Sequence, residues 1–171
     1  HGRTYQAYAF VGDAAGLVFL TGVCWAILRR YVQRPYRIRI KTKPEHALIL
    51  GTFLVLGVTG FVAEAFRIAL AGRPDFEKWS IVGYPLSGLV DGSDSLAGWH
   101  QGWWIAHVFT FFVFVVILPI TMLRHIFTSP LNMYLRDRER PKGAMRPMPN
   151  LMETELESFG ASTVEDFTWK Q

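Results

Sequence analysis

Cysteine is nearly absent: Cys24 is the only one in 171 residues. One thiol makes no disulfide within the chain, and it excludes a four-cysteine iron–sulfur cluster built from this chain alone. Cys24 lies in an apolar stretch, where a small packing role is expected. No glycine-rich nucleotide loop and no internal repeat is present. Charge is missing from three long stretches. Residues 8–28 carry only Asp13, residues 47–70 only Glu64 and Arg67, and residues 103–123 none. Each holds about 20 residues, the length a helix needs to cross the hydrocarbon of a bilayer. None shows the polar stripe of a helix lying on a soluble core. The expected fold is therefore all-α, an integral membrane bundle with three transmembrane helices. A transporter fragment fits poorly, because the helices include no matched pair interrupted by Gly and Pro.

What charge there is gathers between these stretches. Residues 29–45 carry seven Lys and Arg against one acid, Glu45. Residues 71–99 carry only Arg73 and Lys78 against four acids, and the tail turns basic again from Arg124 onward. Lys and Arg in short loops stay on the cytoplasmic side. Loop 29–45 and the C-terminal tail are thus expected to be cytoplasmic, with loop 71–99 outside. Beside apolar helices this basic loop reads as a topology signal facing anionic lipid, not as a nucleic-acid site. The outer loop, with its Pro, Gly and Trp, suits a short interfacial helix. Two regions are expected: a membrane domain over 1–130, then a cytoplasmic connector over 131–171 leading toward a soluble domain. The chain opens HGRTYQ with no initiator Met, so it is expected to be a piece of something longer.

The third stretch contains HVFTFFVFVVILPITMLRH, bounded by His107 and His125. At about 100° per residue their separation is about five whole turns, and at 1.5 Å per residue about 27 Å. On an unbroken helix both rings would share one side, one at each membrane face. Two readings fit: axial ligands of two stacked haems, or interfacial histidines. Polar groups at membrane depth are usually functional. Pro119 between them is expected to kink the helix and loosen the alignment. His100, two turns before His107, suits a propionate or quinone contact, or plain solvation. His46, at the start of the second stretch, is an alternative ligand opposite His125, or an interfacial residue. Arg124 suits a propionate, or the positive-inside charge. Glu64 and Arg67, three apart, suit an ion pair or a proton-accepting quinone site near the outer face. Gly51, Gly57 and Gly60 thin the second helix for a neighbouring helix or a flat cofactor.

The run GWWIAHVFTFFVFVVILPITMLRHIFTSPLNMYLR resembles the last membrane helix of nitrate reductase gamma-subunit-like cytochromes b. The shared features are WW-x-x-H, a second His eighteen on, and an SPLN turn. RRYVQRP, TGFVAEAFR and the tail MPNLMETELESFGASTVEDFTWKQ are similar to one branch of that family. That branch is fused to, or partnered with, heterodisulfide reductase-like iron–sulfur proteins. The resemblance implies a prokaryotic cell (inner) membrane, two b haems with bis-histidine ligation, a quinone pool, and electron exchange with cytoplasmic iron–sulfur centres. It assigns His107 and His125 as last-helix ligands. It also implies a second ligand pair on an earlier helix; none of the three stretches carries one, so that helix is expected before His1. A haem-free membrane anchor for a soluble redox enzyme is the competing reading.

Overall fold

A proline opens the central helix and a glycine closes it. Pro44 occupies the first turn, where its missing N–H costs nothing. Lys43 precedes it in extended backbone, and its N–H donates to His46 Nδ1 at 3.1 Å. The helix ends at Leu70, and Gly72 follows with φ +74°, the left-handed conformation that glycine adopts without strain. These residues and their neighbours were described in a computed structural model, which covers residues 2–92, 94–136 and 152.

Six α-helices occur among the described residues: α1 (Arg3–Ile27), α2 (Tyr36–Arg39), α3 (Pro44–Leu70), α4 (Gly83–Val90), α5 (Leu96–Ile120) and α6 (His125–Tyr134). No strand accompanies them among the described residues. α1 widens into a π-helical turn at Leu28–Gln33 and stops at Arg34, which takes φ 48° ahead of Pro35. Three helices are long and apolar enough to cross a membrane: α1 with its π turn, α3 and α5. This is the expected all-α arrangement. The chain divides into His1–Ile126 and Phe127–Gln171. Most of the second unit, and with it most of the expected connector, lies outside the described residues.

Within the first unit α3 is central, with α1, α4 and α5 packed against it. Small residues let the helices close up. A Cβ on Gly57 would stand 2.5 Å from Leu20 of α1, and one on Gly16 would stand 2.8 Å from Phe61 of α3. Phe53 of α3 meets Phe19 of α1 edge-on and leans on Phe114 of α5. Burial is inverted relative to a soluble domain. Val18, Trp104, Phe109, Phe112 and Val116 are exposed, while Asp13, Glu77, Ser80 and Ser87 are buried. An apolar exterior with polar groups satisfied inside is what lipid demands. Loop 71–99 does carry a short helix, α4, preceded by a 3-10 turn at Asp75–Trp79, and it packs onto α3.

Two expectations change. Cys24 is exposed on α1 and packs nothing inside the unit. The helix bearing His107 also does not reach His125. α5 ends at Ile120, Thr121 is extended at φ −109° and ψ −177°, and a 3-10 turn covers Met122–Arg124 before α6 begins. Pro119 lacks the N–H that would bond to Val115, and its ring crowds that carbonyl. Thr121 completes the break. Its Oγ1 donates to Ile117 O at 2.8 Å and accepts from Leu123 N at 3.3 Å, capping the new turn. The five-turn reckoning needed an unbroken helix, so helical period no longer carries a shared face for His107 and His125.

Candidate redox site along the central helix

His107 projects from α5 against the thinnest part of α3. Its Cε1 lies 3.3 Å from where a Cβ on Gly60 would stand. Thr59, buried in α3, has its Oγ1 3.0 Å from His107 Nδ1. The same oxygen is 2.7 Å from Val55 O and 3.2 Å from Leu56 O. A carbonyl only accepts, so the single hydroxyl proton of Thr59 points to Val55. Thr59 therefore accepts from His107, and Nδ1 carries a proton; in the neutral ring Nε2 then keeps its lone pair.

His107 also lines a cleft of about 620 Å³ between α1 and α3, together with Gly12, Gly16, Gly57 and Gly60. An imidazole whose Nδ1 is held by Thr59, beside a cleft lined in part by glycines, fits a side chain that would hold haem iron through Nε2. Among the described residues no three His, Cys, Asp and Glu side chains gather to hold a bare ion. A lone imidazole suits an iron whose other ligands come from a macrocycle. Of the three glycines expected to thin the second helix, Gly57 admits Leu20 and Gly60 admits His107, while a Cβ on Gly51 would meet open space.

The end of the same cleft toward loop 71–99 is polar. The expected Glu64–Arg67 pair forms, with Arg67 Nη2 3.8 Å from Glu64 Oε1. Arg67 holds a closer partner in Glu77, which accepts from Nη1 at 2.7 Å and from Nη2 at 3.3 Å. Tyr5 donates to Glu77 Oε1 at 2.7 Å. Burial pushes the Glu77 carboxyl up, but the Arg67 and Tyr5 hydrogen bonds and the Arg67 charge outweigh it and hold the carboxyl below the ordinary range. Ser80 donates to Glu64 at 3.1 Å. Asp13 Oδ2 accepts from Val82 N at 2.7 Å and from Gly83 N at 3.0 Å, pinning the start of α4. Asp13, Glu64 and Arg67 all line the cleft. Asp13, Tyr5, Thr59 and Glu77 were not picked out by the sequence reasoning. Asp13 had a usable signal, as the sole charge in an otherwise apolar span. The other three had none, since their partners lie on distant segments.

The opposite end of the bundle, expected to be cytoplasmic, is separate. His125 is exposed, and its Nδ1 donates to Met122 O. Arg124 precedes it, also exposed. A hollow of about 520 Å³ is lined by Arg30, Arg37, Lys41, Lys43, His46 and Met122, among others. His46 Nδ1 lies 3.1 Å from both the N and the O of Lys43, and the side chain serves as a cap of α3. His125 is not among the residues lining this hollow, so His46 and His125 do not share it. His100 is half-buried on α5, near its start.

Comparison with known proteins adds an independent line. A family profile described as "Nitrate reductase gamma subunit" matches residues 1–140. The chain is 31% identical over 179 residues to "EtfAB:quinone oxidoreductase" of Syntrophomonas wolfei subsp. wolfei (strain DSM 2245B / Goettingen), covering 99% of this chain and 24% of that protein. It is 26% identical over 175 residues to "Probable iron-sulfur-binding oxidoreductase FadF" of Bacillus subtilis (strain 168), covering 99% and 24%. The chain thus spans about a quarter of the length of these relatives. No solved structure matches it.

Proposed function

The chain belongs to the nitrate reductase gamma subunit family, and from that premise we propose that it is the membrane haem b module of a quinone-linked oxidoreductase. It passes electrons between the quinone pool and cytoplasmic iron–sulfur centres. The observation that carries this reading is His107, its Nδ1 held by Thr59, beside a cleft whose outer end is lined by Asp13 and Glu64. His107 serves the outer haem and His125 the haem nearer the cytoplasm. The haem supplies reversible one-electron chemistry. The residues of this chain orient the ligands, keep water from the membrane interior and offer groups for protons. At the outer end Glu64, backed by Arg67 and Ser80, is the group to exchange a quinol proton. Arg124 and the basic hollow suit carboxylates of the cofactor on the other side. His100 stands as a weaker contact at the outer boundary.

The two relatives, one named a quinone oxidoreductase and one an iron–sulfur-binding oxidoreductase, support quinone as substrate and an iron–sulfur partner. We assign that partner to a heterodisulfide reductase-like domain or subunit. The setting is the prokaryotic cell (inner) membrane, with loop 29–45 and the tail in the cytoplasm.

The test is haem content in the whole protein. His107→Ala and His125→Ala should each remove about half of the reduced b-type absorbance and leave different spectral components. Phe114 packs against Phe53 and Phe111 and offers no ligand, so Phe114→Leu should keep both. Full haem in both histidine variants would end the ligand assignment. A whole protein with no b-type spectrum at all would favour the haem-free anchor.

A further inference from the structure

We propose that Thr59 is a positioning residue that sets the redox potential of the outer haem through His107. The inference rests on the ligand reading of His107 given above. Metal-bound imidazoles are tuned by whatever accepts from their second nitrogen. A stronger acceptor draws the Nδ1 proton away, makes Nε2 more basic and favours the oxidised, more positive iron. At His107 that acceptor is a buried hydroxyl oxygen at 3.0 Å, whose own proton is committed to Val55 O at 2.7 Å. A hydroxyl that donates elsewhere is polarised and accepts better than a free one. Thr59 is thus fixed as an acceptor: were its proton turned toward His107, its oxygen would face the Val55 carbonyl with no hydrogen between them. Thr59 itself is buried, which limits water's access to the accepting oxygen.

The two candidate ligands differ in this respect. His125 donates to the backbone carbonyl of Met122, and no side-chain substitution deletes that acceptor. At His107 the acceptor is a side chain, so a single substitution removes it. The backbone around it leaves little slack for a substitute. Gly60, the next residue, faces the His107 ring so closely that a Cβ there would stand 3.3 Å from Cε1. The ring is therefore held by the glycine on one contact and the hydroxyl on the other, and Thr59 governs both its rotation and its proton.

The experiment uses the whole protein in its own membrane, with Thr59→Val, Thr59→Ser and His107→Ala compared by redox titration of the b-type band. Low-spin haem signals in electron paramagnetic resonance provide a second readout. Valine keeps the shape and removes the hydroxyl; serine restores it. In Thr59→Val the outer component should titrate at a higher potential, with altered low-spin g values, while the inner component stays put. The expected size is about a tenfold change in the reduced-to-oxidised ratio at fixed poise, about 59 mV for one electron. Thr59→Ser should return both readouts to the parent values. Loss of the outer haem in the valine variant, restored by serine, would also support the proposal. A valine variant that titrates as the parent, or loss of haem in both variants, would overturn it and leave Thr59 a helix-packing residue. Retention of the outer component in His107→Ala would overturn the ligand reading itself, and that outcome is distinct from an unshifted Thr59→Val.

Discussion

Glu77 shows how far a single side chain reaches. It is 1% exposed, yet its carboxylate is matched by Arg67 and Tyr5 from two membrane helices. Removing one partner of a buried pair costs several kcal/mol because the other charge is left behind. Arg67 is 42% exposed, so water softens that loss. Glu77→Ala should cost about 1–3 kcal/mol, read as a lower unfolding midpoint of the solubilised protein. The pH dependence has a definite sign. A carboxyl held below its ordinary value of 4.5 contributes stability in full above that value. The contribution is lost as pH falls through the depressed folded value. The parent should therefore lose stability below about pH 4.5, and Glu77→Gln should show a flatter acid limb in the same melts. An acid limb as steep as the parent's would mean that other groups carry it. In the sequence, the Glu64–Arg67 pair was readable from its spacing of three. The closer Arg67–Glu77 pair was not, because a turn and ten residues of chain separate its members.

At the scale of helices, two devices invite a test. Asp13 accepts the first N–H groups of α4 from another helix, the role an N-cap residue plays from within. Asp13→Ala should destabilise α4 by about 0.5–2 kcal/mol, seen as faster hydrogen exchange at Val82 and Gly83 with α3 unchanged. The second device is the break after α5. Pro119→Ala restores the missing N–H and should let α5 run on, turning His125. The b-type component lost in His125→Ala should then shift or diminish, while the one lost in His107→Ala stays. Equal effects on both components would argue against a local break. The three spans were legible because hydropathy and length suffice to read a membrane helix. Pro119 announced a kink, but the full break also needed the Thr121 hydroxyl, whose contacts with Ile117 and Leu123 exist only in the folded turn. α4 was expected as a short outer helix; its anchorage on Asp13, 69 residues earlier, is a long-range contact that local pattern does not encode.

For the whole molecule, the charge of the loops sets the orientation. A cysteine placed at Gln33, in the basic segment after α1, should resist a membrane-impermeant thiol reagent in intact cells and react once the cells are opened. Strong labelling in intact cells would invert the topology, and the outer cleft would then face the cytoplasm. Membrane fold and family were readable from three apolar stretches and the His107–His125 pattern. Site geometry was less so, since the hydroxyl that holds His107 sits in an ordinary-looking GVTG on another helix. The central place of α3 also bears on how the protein is made. α3 follows α1 in the chain and α5 follows α3, so each helix leaving the insertion machinery meets a partner already in the bilayer. Leu20 and Gly57 are both in place before His107 has been synthesised, whereas Asp13 of the same first helix waits 69 residues for Val82.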